Sequence, residues 1–380
     1  MRAASNTGVF WKGISDMGIF SGRRSQGLLH NSTPVPGMRE AQAEALSRDR
    51  QSARFLTAAA NSYVYACCLR VVAQLGVADL LADGPVHVGG LAERVRADED
   101  ALYRVLRLLA TRGIVRETEA RVFVLMDLGA SLRSGSRFSV REGILAATTP
   151  AIYRAGGELL HAVMTGEPAV QQVFGASLFD YFGSHPADGS EFHTGMGRYS
   201  VIESENFVRA CRLPETGTVV DVGGGQGALL LMLLQRHRQL RGVLFDLPQV
   251  VENHRLRELE DAERWDVVGG NFFEAVPAGD VYVIQYVLHN WDDEHCVEIL
   301  RNCRRAMAPG GRVYIHDMLV PPGNEPDQSK VLDIVMLSIV TGRERTRQEF
   351  QHLLHTAGLR LVGITPPAVG ALSVIEAEAA

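Results

Sequence analysis

The sequence predicts an α/β protein in two parts. From Thr218 onward a largely parallel, doubly wound sheet ends in an antiparallel hairpin, and before it lies a mostly helical, winged-helix-like domain. Three observations carry this. Strand-like and helix-like patterns alternate regularly after Thr218. A glycine corner, Val219-Val-Asp-Val-Gly-Gly-Gly-Gln-Gly-Ala228, joins a short apolar strand to an apolar helix. Two helical stretches and a hairpin-like pair of strands fall in order between Val88 and Leu125.

Composition sets the frame. The chain has 380 residues, 46% hydrophobic and 22% charged, with a net charge of −6. That is an ordinary globular balance with room for two domains, and it gives no basic footprint for nucleic acid or an anionic membrane. No apolar run reaches the length of a membrane span, and the N-terminus lacks the pattern of a signal peptide. The five cysteines, Cys67, Cys68, Cys211, Cys296 and Cys303, show no Cys-x-x-Cys spacing. Reduced thiols in a cytoplasmic protein are expected, without a zinc site.

Residues 1–50 read as a poorly ordered extension, with Pro34-Val-Pro-Gly37 as a linker. Phe55 to Leu81 reads as helices. Asp98 is an N-cap candidate for a helix over Ala101–Arg112, and Ile114–Glu117 and Arg121–Leu125 alternate as a hairpin. Helix, helix and hairpin make residues 51–140 a winged-helix-like domain. Between Pro85 and Leu132 seven basic residues face seven acidic ones, so interaction or dimerisation fits better than reading a DNA groove. Residues 141–380 form the second domain, opening with a helical, aromatic-rich segment over 141–212. Its sheet strands are expected at Val219–Val222, Gly242–Asp246, Asp266–Val268, Val281–Tyr286 and Val313–His316. Helices are expected at Ala228–Arg236, Gln249–Leu259 and Asp293–Met307. Thr346-Arg-Gln-Glu349 is a capping box, and strands over Leu359–Ile364 and Leu372–Glu376 close the chain.

The chemistry-bearing residues gather where such sheets bind ligands, beyond the carboxyl ends of the strands. Gly223-x-Gly225-x-x-Ala228 fits a dinucleotide loop. Asp221 followed by Gly223-x-Gly225-x-Gly227 fits an S-adenosylmethionine (SAM) loop equally well, and a tight turn without a ligand is a third reading. Asp246 ends the second strand, where a carboxylate can accept both ribose hydroxyls; a helix N-cap is the plainer role. Asn271 follows the third strand and can bond an adenine edge, with Phe272 on the ring face. Gln285 sits near the end of the fourth strand. His289 lies just past that strand, where a near-neutral imidazole can take a proton from a hydroxyl. Either Asp317 or Glu344 can hold its other nitrogen. A metal site from His289, His295 and His316 lacks a zinc-like spacing.

Five segments then occur in one order: Asp221-Val-Gly-Gly-Gly-Gln-Gly227, Phe245-Asp-Leu-Pro248, Gly269-Gly-Asn-Phe-Phe273, His289-Asn-Trp-Asp-Asp-Glu-His-Cys296 and Gly342-Arg-Glu-Arg-Thr346. Together they resemble the SAM-dependent small-molecule O-methyltransferases, from about Phe55 to the end. The closing hairpin is expected in that fold and uncommon in dinucleotide domains. The resemblance implies SAM contacts at Asp221, Gly223, Gly225, Asp246, Asn271, Phe272 and Gln285. It implies His289 as general base flanked by Asp317 and Glu344. It also implies an acceptor pocket with Phe192 and Met196, extended by Trp291 and Met336, an aromatic small-molecule acceptor from secondary metabolism, a homodimer and no metal. The family often has Asp at the place of Asn271 and Lys or Ser at Gln285. Its plant members have Glu at Asp317, so the shorter acid puts that contact with His289 in question. Competing readings are a SAM-retaining hydroxylase or decarboxylase on the same scaffold, which His289 argues against, and an NAD(P)-dependent oxidoreductase, which the hairpin argues against. A DNA-binding regulator is opposed by the charge balance of the winged helix.

Overall fold

A computed structural model describes residues 38–137, 139–368 and 370–380; the expectations for residues 1–37 lie outside the described residues. The chain divides into two compact units, Met1–Asn61 and Ser62–Ala380. In the first, helix α1 (Met38–Ala60) begins inside the stretch expected to be irregular. Its run of Ala, Glu, Gln, Arg and Leu is rich in strong helix formers, a propensity that the Gly and Pro before it masked. The helical stretch Asp49–Leu75 contains a window of mean hydropathy 1.3, long and apolar enough by length and composition to cross a membrane. This corrects the expectation that no run reaches that length. Only 11% of the window is buried.

The second unit opens with helix α2 (Tyr63–Leu75), strand β1 (Val86–His87), helices α3 (Val88–Val95) and α4 (Glu99–Ala110), and strands β2 (Val115–Glu119) and β3 (Val122–Leu125). The strands pair antiparallel in the order β1-β3-β2. Leu91, Leu102, Leu106, Leu109 and Phe123 fill the space between helices and sheet. Asp98 caps α4 by accepting from the Ala101 N–H at 2.8 Å. This is the winged-helix arrangement the spacing predicts. Helices α5 (Arg141–Ala147), α6 (Pro150–Gly157) and α7 (Pro186–Ala210) follow. Arg70 of α2 crosses to Glu191 of α7 at 2.7 Å, one residue before Phe192.

The main sheet comprises β4 (Gly217–Val222), β5 (Leu240–Asp246), β6 (Trp265–Gly269), β7 (Gly279–Gln285), β8 (Met307–Asp317), β11 (Leu359–Thr365) and β12 (Ser373–Ala379). Its order is β11-β12-β8-β7-β4-β5-β6. Six strands run in one direction; β12 alone inserts antiparallel, between β8 and β11. The order reverses beside β4, so β4 and β7 carry the switch point where open α/β sheets bind ligands. A separate parallel pair, β9 (Leu319–Val320) with β10 (Arg345–Thr346), registers Arg345 with Leu319. That register brings Glu344 to the end of β8, beside Asp317. Helices α8 (Ala228–Arg236), α9 (Asp293–Ala306), α10 (Gln328–Ile339) and α11 (Arg347–Thr356) complete the layers. The Thr346–Glu349 capping box opens α11 with both of its hydrogen bonds. The helix expected over Gln249–Leu259 is instead one turn, Pro248–Val251, and a 3-10 turn, Leu256–Glu258. The Arg255 N–H donates to the Gln226 carbonyl at 2.9 Å, which draws the chain back to the glycine loop and interrupts the helix.

Candidate active site

The glycine corner has the backbone its sequence demands. Gly223, Gly225 and Gly227 have φ of 69°, 60° and 78°, the left-handed region that side chains with a Cβ avoid. A Cβ on Gly225 would meet nothing within 4 Å, so the turn presents bare backbone to open space. Asp246 holds the loop: its carboxylate accepts from the Gly225 N–H at 2.8 Å and the Leu247 N–H at 2.7 Å. Beneath it Asp221 is buried, and its Oδ2 has no hydrogen-bond partner among the described residues. Burial, reinforced by the charge of Asp246, pushes its carboxyl up to about 7. Phe272 faces the corner, with its ring edge 3.7 Å from where a Cβ on Gly223 would stand.

Two residues expected at this corner carry hydrogen bonds within the protein. The Oδ1 of Asn271 accepts from the Phe273 N–H at 3.1 Å, forming an Asx turn at the start of the loop. Gln285 donates from Nε2 to the Ser200 hydroxyl at 2.7 Å, and its Oε1 faces Nδ1 of His316 at 2.9 Å. Its amide is thus tied to α7 and β8. His316 is fully buried, and burial pulls its pKa down to about 3. The imidazole is therefore neutral, with Nδ1–H donating to Gln285.

At the end of β7 the backbone kinks. Tyr286 has φ of 57°, uncommon for a residue of this bulk, and its N–H donates to the His316 carbonyl at 3.3 Å. The kink lifts the chain off the sheet into a 3-10 turn, Leu288–Asn290, carrying His289. His289 Nδ1 lies 2.8 Å from Oε1 of the buried Glu344. A carboxylate only accepts, so Nδ1 carries the proton and Nε2 keeps its lone pair. Of the two candidate carboxylates, Glu344 makes the contact. Asp317 acts on the ring through its charge, and neither of its oxygens has a hydrogen-bond partner among the described residues. Burial works to lower the pKa of His289. The Glu344 hydrogen bond and the charges of Asp317 and Glu344 overcome it and hold the imidazole above its ordinary value. Burial also pushes Asp317 up to about 7, opposed by the nearby imidazole.

The loop bearing Glu344 is pressed onto the turn bearing His289. A Cβ on Gly342 would stand 2.1 Å from the His289 carbonyl oxygen and 2.4 Å from the Trp291 nitrogen. Sequence reasoning did not single out Gly342 or Arg345 for these roles. Both lie in a quoted motif, but the neighbours of Arg345, Glu344 and Thr346, are polar and gave no local signal of burial. Among the residues expected to line an acceptor pocket, Phe192 and Met336 share one apolar cluster with Tyr181 and Phe182. Phe192 stacks on Phe182 at 4.7 Å, and Met196 is half-buried on the same helix. Trp291 lies elsewhere: its ring packs edge-on against Phe273 at 4.8 Å, in the cluster under the sheet. His289, His295 and His316 are not brought together. Each has its own partner, in Glu344, Asp292 and Gln285.

A family model for the O-methyltransferase domain matches residues 157–360, and one for the O-methyltransferase dimerisation domain matches residues 57–134. A phenazine O-methyltransferase of Lysobacter antibioticus is 41% identical, over 82% of this chain and 91% of that protein. This chain belongs to the SAM-dependent O-methyltransferases. Among solved members of the family, the methyltransferase CalO1 of calicheamicin biosynthesis, with S-adenosylhomocysteine bound, superposes with a TM-score of 0.80 at 44% identity. That match covers 87% of this chain and 98% of the other. The neocarzinostatin O-methyltransferase NcsB1, solved with S-adenosylhomocysteine and 1,4-dihydroxy-2-naphthoic acid, superposes with a TM-score of 0.71 at 31% identity. It covers 83% of this chain and 96% of its own. The O-methyltransferase fold accounts for the strand order, and SAM is the co-substrate. The open glycine turn and the Asp246 carboxylate fit a nucleoside at the corner, above the buried Asp221 whose Oδ2 has no hydrogen-bond partner among the described residues.

Proposed function

We propose that this O-methyltransferase methylates a hydroxyl of a planar aromatic secondary metabolite, with His289 as general base and Glu344 as the group that orients it. The observation that carries this reading is the 2.8 Å contact between His289 Nδ1 and Glu344, which leaves Nε2 as the acceptor. Bound SAM supplies an electrophilic methyl carbon on a sulfonium. The chain's own residues do the rest. Gly223, Gly225, Asp246 and Phe272 hold the nucleoside end at the switch point. Phe192, Met196 and Met336 support a flat ring from the side of α7 and α10. His289 Nε2 takes the phenolic proton, which at an ordinary phenol pKa near ~10 leaves reluctantly at neutral pH. Glu344 then faces an imidazolium, and the buried ion pair stabilises the charge that has moved.

The dimerisation-domain match and the exposed Tyr63 and Val64 support a homodimer. The two family models support a division near residue 140 between the winged-helix-like and methyltransferase parts, ahead of a helical pocket segment over 141–212. The test is direct. Methyl-labelled SAM is incubated with phenazines, hydroxynaphthoates, aromatic polyketides, indoles, phenylpropanoids and aryl amines. A phenolic product one methyl heavier is expected. Label appearing on amines alone, or on none of the panel, would overturn the reading.

The pH dependence follows from the same contact. A base must be neutral to act, and His289 is held above its ordinary value of 6.5. The acid limb of kcat/KM for the acceptor should therefore lie above that value, with activity lost as pH falls through it. Asp317, at about 7, titrates in the same range, so the limb belongs to the coupled cluster. In Glu344→Gln the carboxylate charge is gone, and the limb should move to lower pH as kcat falls. A wild-type limb at or below 6.5 in a pH–rate profile would contradict this assignment.

A further inference from the structure

Arg345 is 1% exposed, the largest of the fully buried side chains. Its Nη1 donates to the Leu288 carbonyl at 3.0 Å and its Nη2 to the Trp291 carbonyl at 2.8 Å. Nε and Nη2 also reach Asp293 Oδ1, at 3.0 and 2.8 Å. Leu288 and Trp291 bracket His289 and Asn290, so the guanidinium spans the turn that carries the imidazole. Its planar, five-donor fork can satisfy two carbonyls and a carboxylate at once; an ammonium on a single stem cannot span both carbonyls. Burying such a charge is costly, and an apolar side chain of similar size would fill the space without that cost. The ion-pair partner, Asp293, is itself 43% exposed, so pairing alone does not explain why a cation sits here.

We propose that Arg345 is a positioning residue for methyl transfer: its guanidinium fixes the Leu288–Trp291 turn and keeps a positive charge in the cluster that holds His289. This rests on the reading of His289 as the base. The charge opposes the pull of the carboxylates on the imidazole and keeps more of it in the neutral, proton-accepting form. The other groups facing the cluster are Asp317 from the end of β8, Glu344 and Arg343 from the loop before α11, Asp292 capping α9, Asp293 and the Cys296 thiol from α9, and Tyr286 from the end of β7. Arg345 is the cation buried among them.

The experiment compares full-length wild type, Arg345→Lys, Arg345→Met and His289→Asn. It uses initial rates of labelled methyl transfer to an acceptor the wild type turns over, across a pH series. Arg345→Lys keeps the charge and loses the fork. Its kcat should fall by about 10- to 100-fold, as displacement of a catalytic group by a fraction of an ångström does, while its acid limb stays in place. Arg345→Met loses both, so kcat should fall at least as far and the limb should move to higher pH. KM for SAM should stay within about twofold in both, because the glycine corner is untouched. Wild-type kcat in Arg345→Lys, or an unmoved limb in Arg345→Met, overturns the proposal. If Arg345→Met does not fold, Arg345→Lys decides alone: lost kcat with an unmoved limb supports it, and wild-type kcat overturns it. His289→Asn separates the two readings. Full activity in that variant removes the base itself, whereas an inactive His289→Asn beside a fully active Arg345→Lys removes only the positioning role.

Discussion

Replacing His289 with Asn is expected to lower kcat by about 10²- to 10⁴-fold, the range a positioned general base contributes, while SAM and S-adenosylhomocysteine bind as in the wild type. The two halves of this result come from different parts of the structure. The proton acceptor is Nε2 of an imidazole whose other nitrogen is fixed on Glu344 at 2.8 Å, and an Asn amide offers no group of comparable basicity. The glycine corner is built from β4, β5 and the loop after β6, none of which contains residue 289. Asp317 does not substitute for the lost base, because it is fully buried at the end of β8. The activity that remains should reflect alignment of acceptor and methyl group, which needs no base. Calorimetric titration with S-adenosylhomocysteine, alongside labelled turnover, checks both halves. Undiminished turnover would remove His289 from the chemistry, and lost nucleoside binding would show that the turn supports the corner as well.

Gly342→Ala is expected to be nearly as damaging, for a reason that involves no titratable group. The added methyl would meet the His289 carbonyl oxygen at 2.1 Å and the Asn290 carbonyl carbon at 2.4 Å. Both are backbone atoms and cannot rotate aside. Two loops must part, and these are the loops whose contact sets the distance from Glu344 to His289. Overpacking of this kind costs about 1–3 kcal/mol of stability. The larger effect should be on rate, a loss of about 10²-fold or more if the pair separates by roughly an ångström. Thermal unfolding and kcat measured on the same preparation distinguish the two. A modest fall in Tm with a large fall in kcat is the expected signature; wild-type kcat would show that the close approach has no bearing on the site.

Gly342 also shows where sequence reasoning stops. Strand-loop-helix grammar was legible around residues 219–228, because the apolar run, the glycines and the following helix are neighbours in the chain. The capping box at Thr346 and Glu349 was legible for the same reason, as was the place of His289 past a strand end. The choice between Asp317 and Glu344 was not, because it depends on the β9–β10 register, a pairing of two residues with two that leaves no pattern. The ties of Gln285 to Ser200 and His316 were not legible either, because only the folded sheet and α7 bring these groups near. Trp291 was expected among acceptor contacts because of its ring. Its direction was fixed by Phe272 and Phe273, which lie on another loop. Arg345 reads as an ordinary surface cation in a polar motif, and nothing local announces that it is buried.

The Gln285 amide joins two structures that have separate tasks. Through Ser200 it grips α7 near the middle of that helix, and two turns nearer the N-terminus Arg70 grips Glu191, next to Phe192. A rod fastened at two places along its length can neither slide nor turn about either of them. The aromatic wall is therefore kept in one register with the strand that precedes the base.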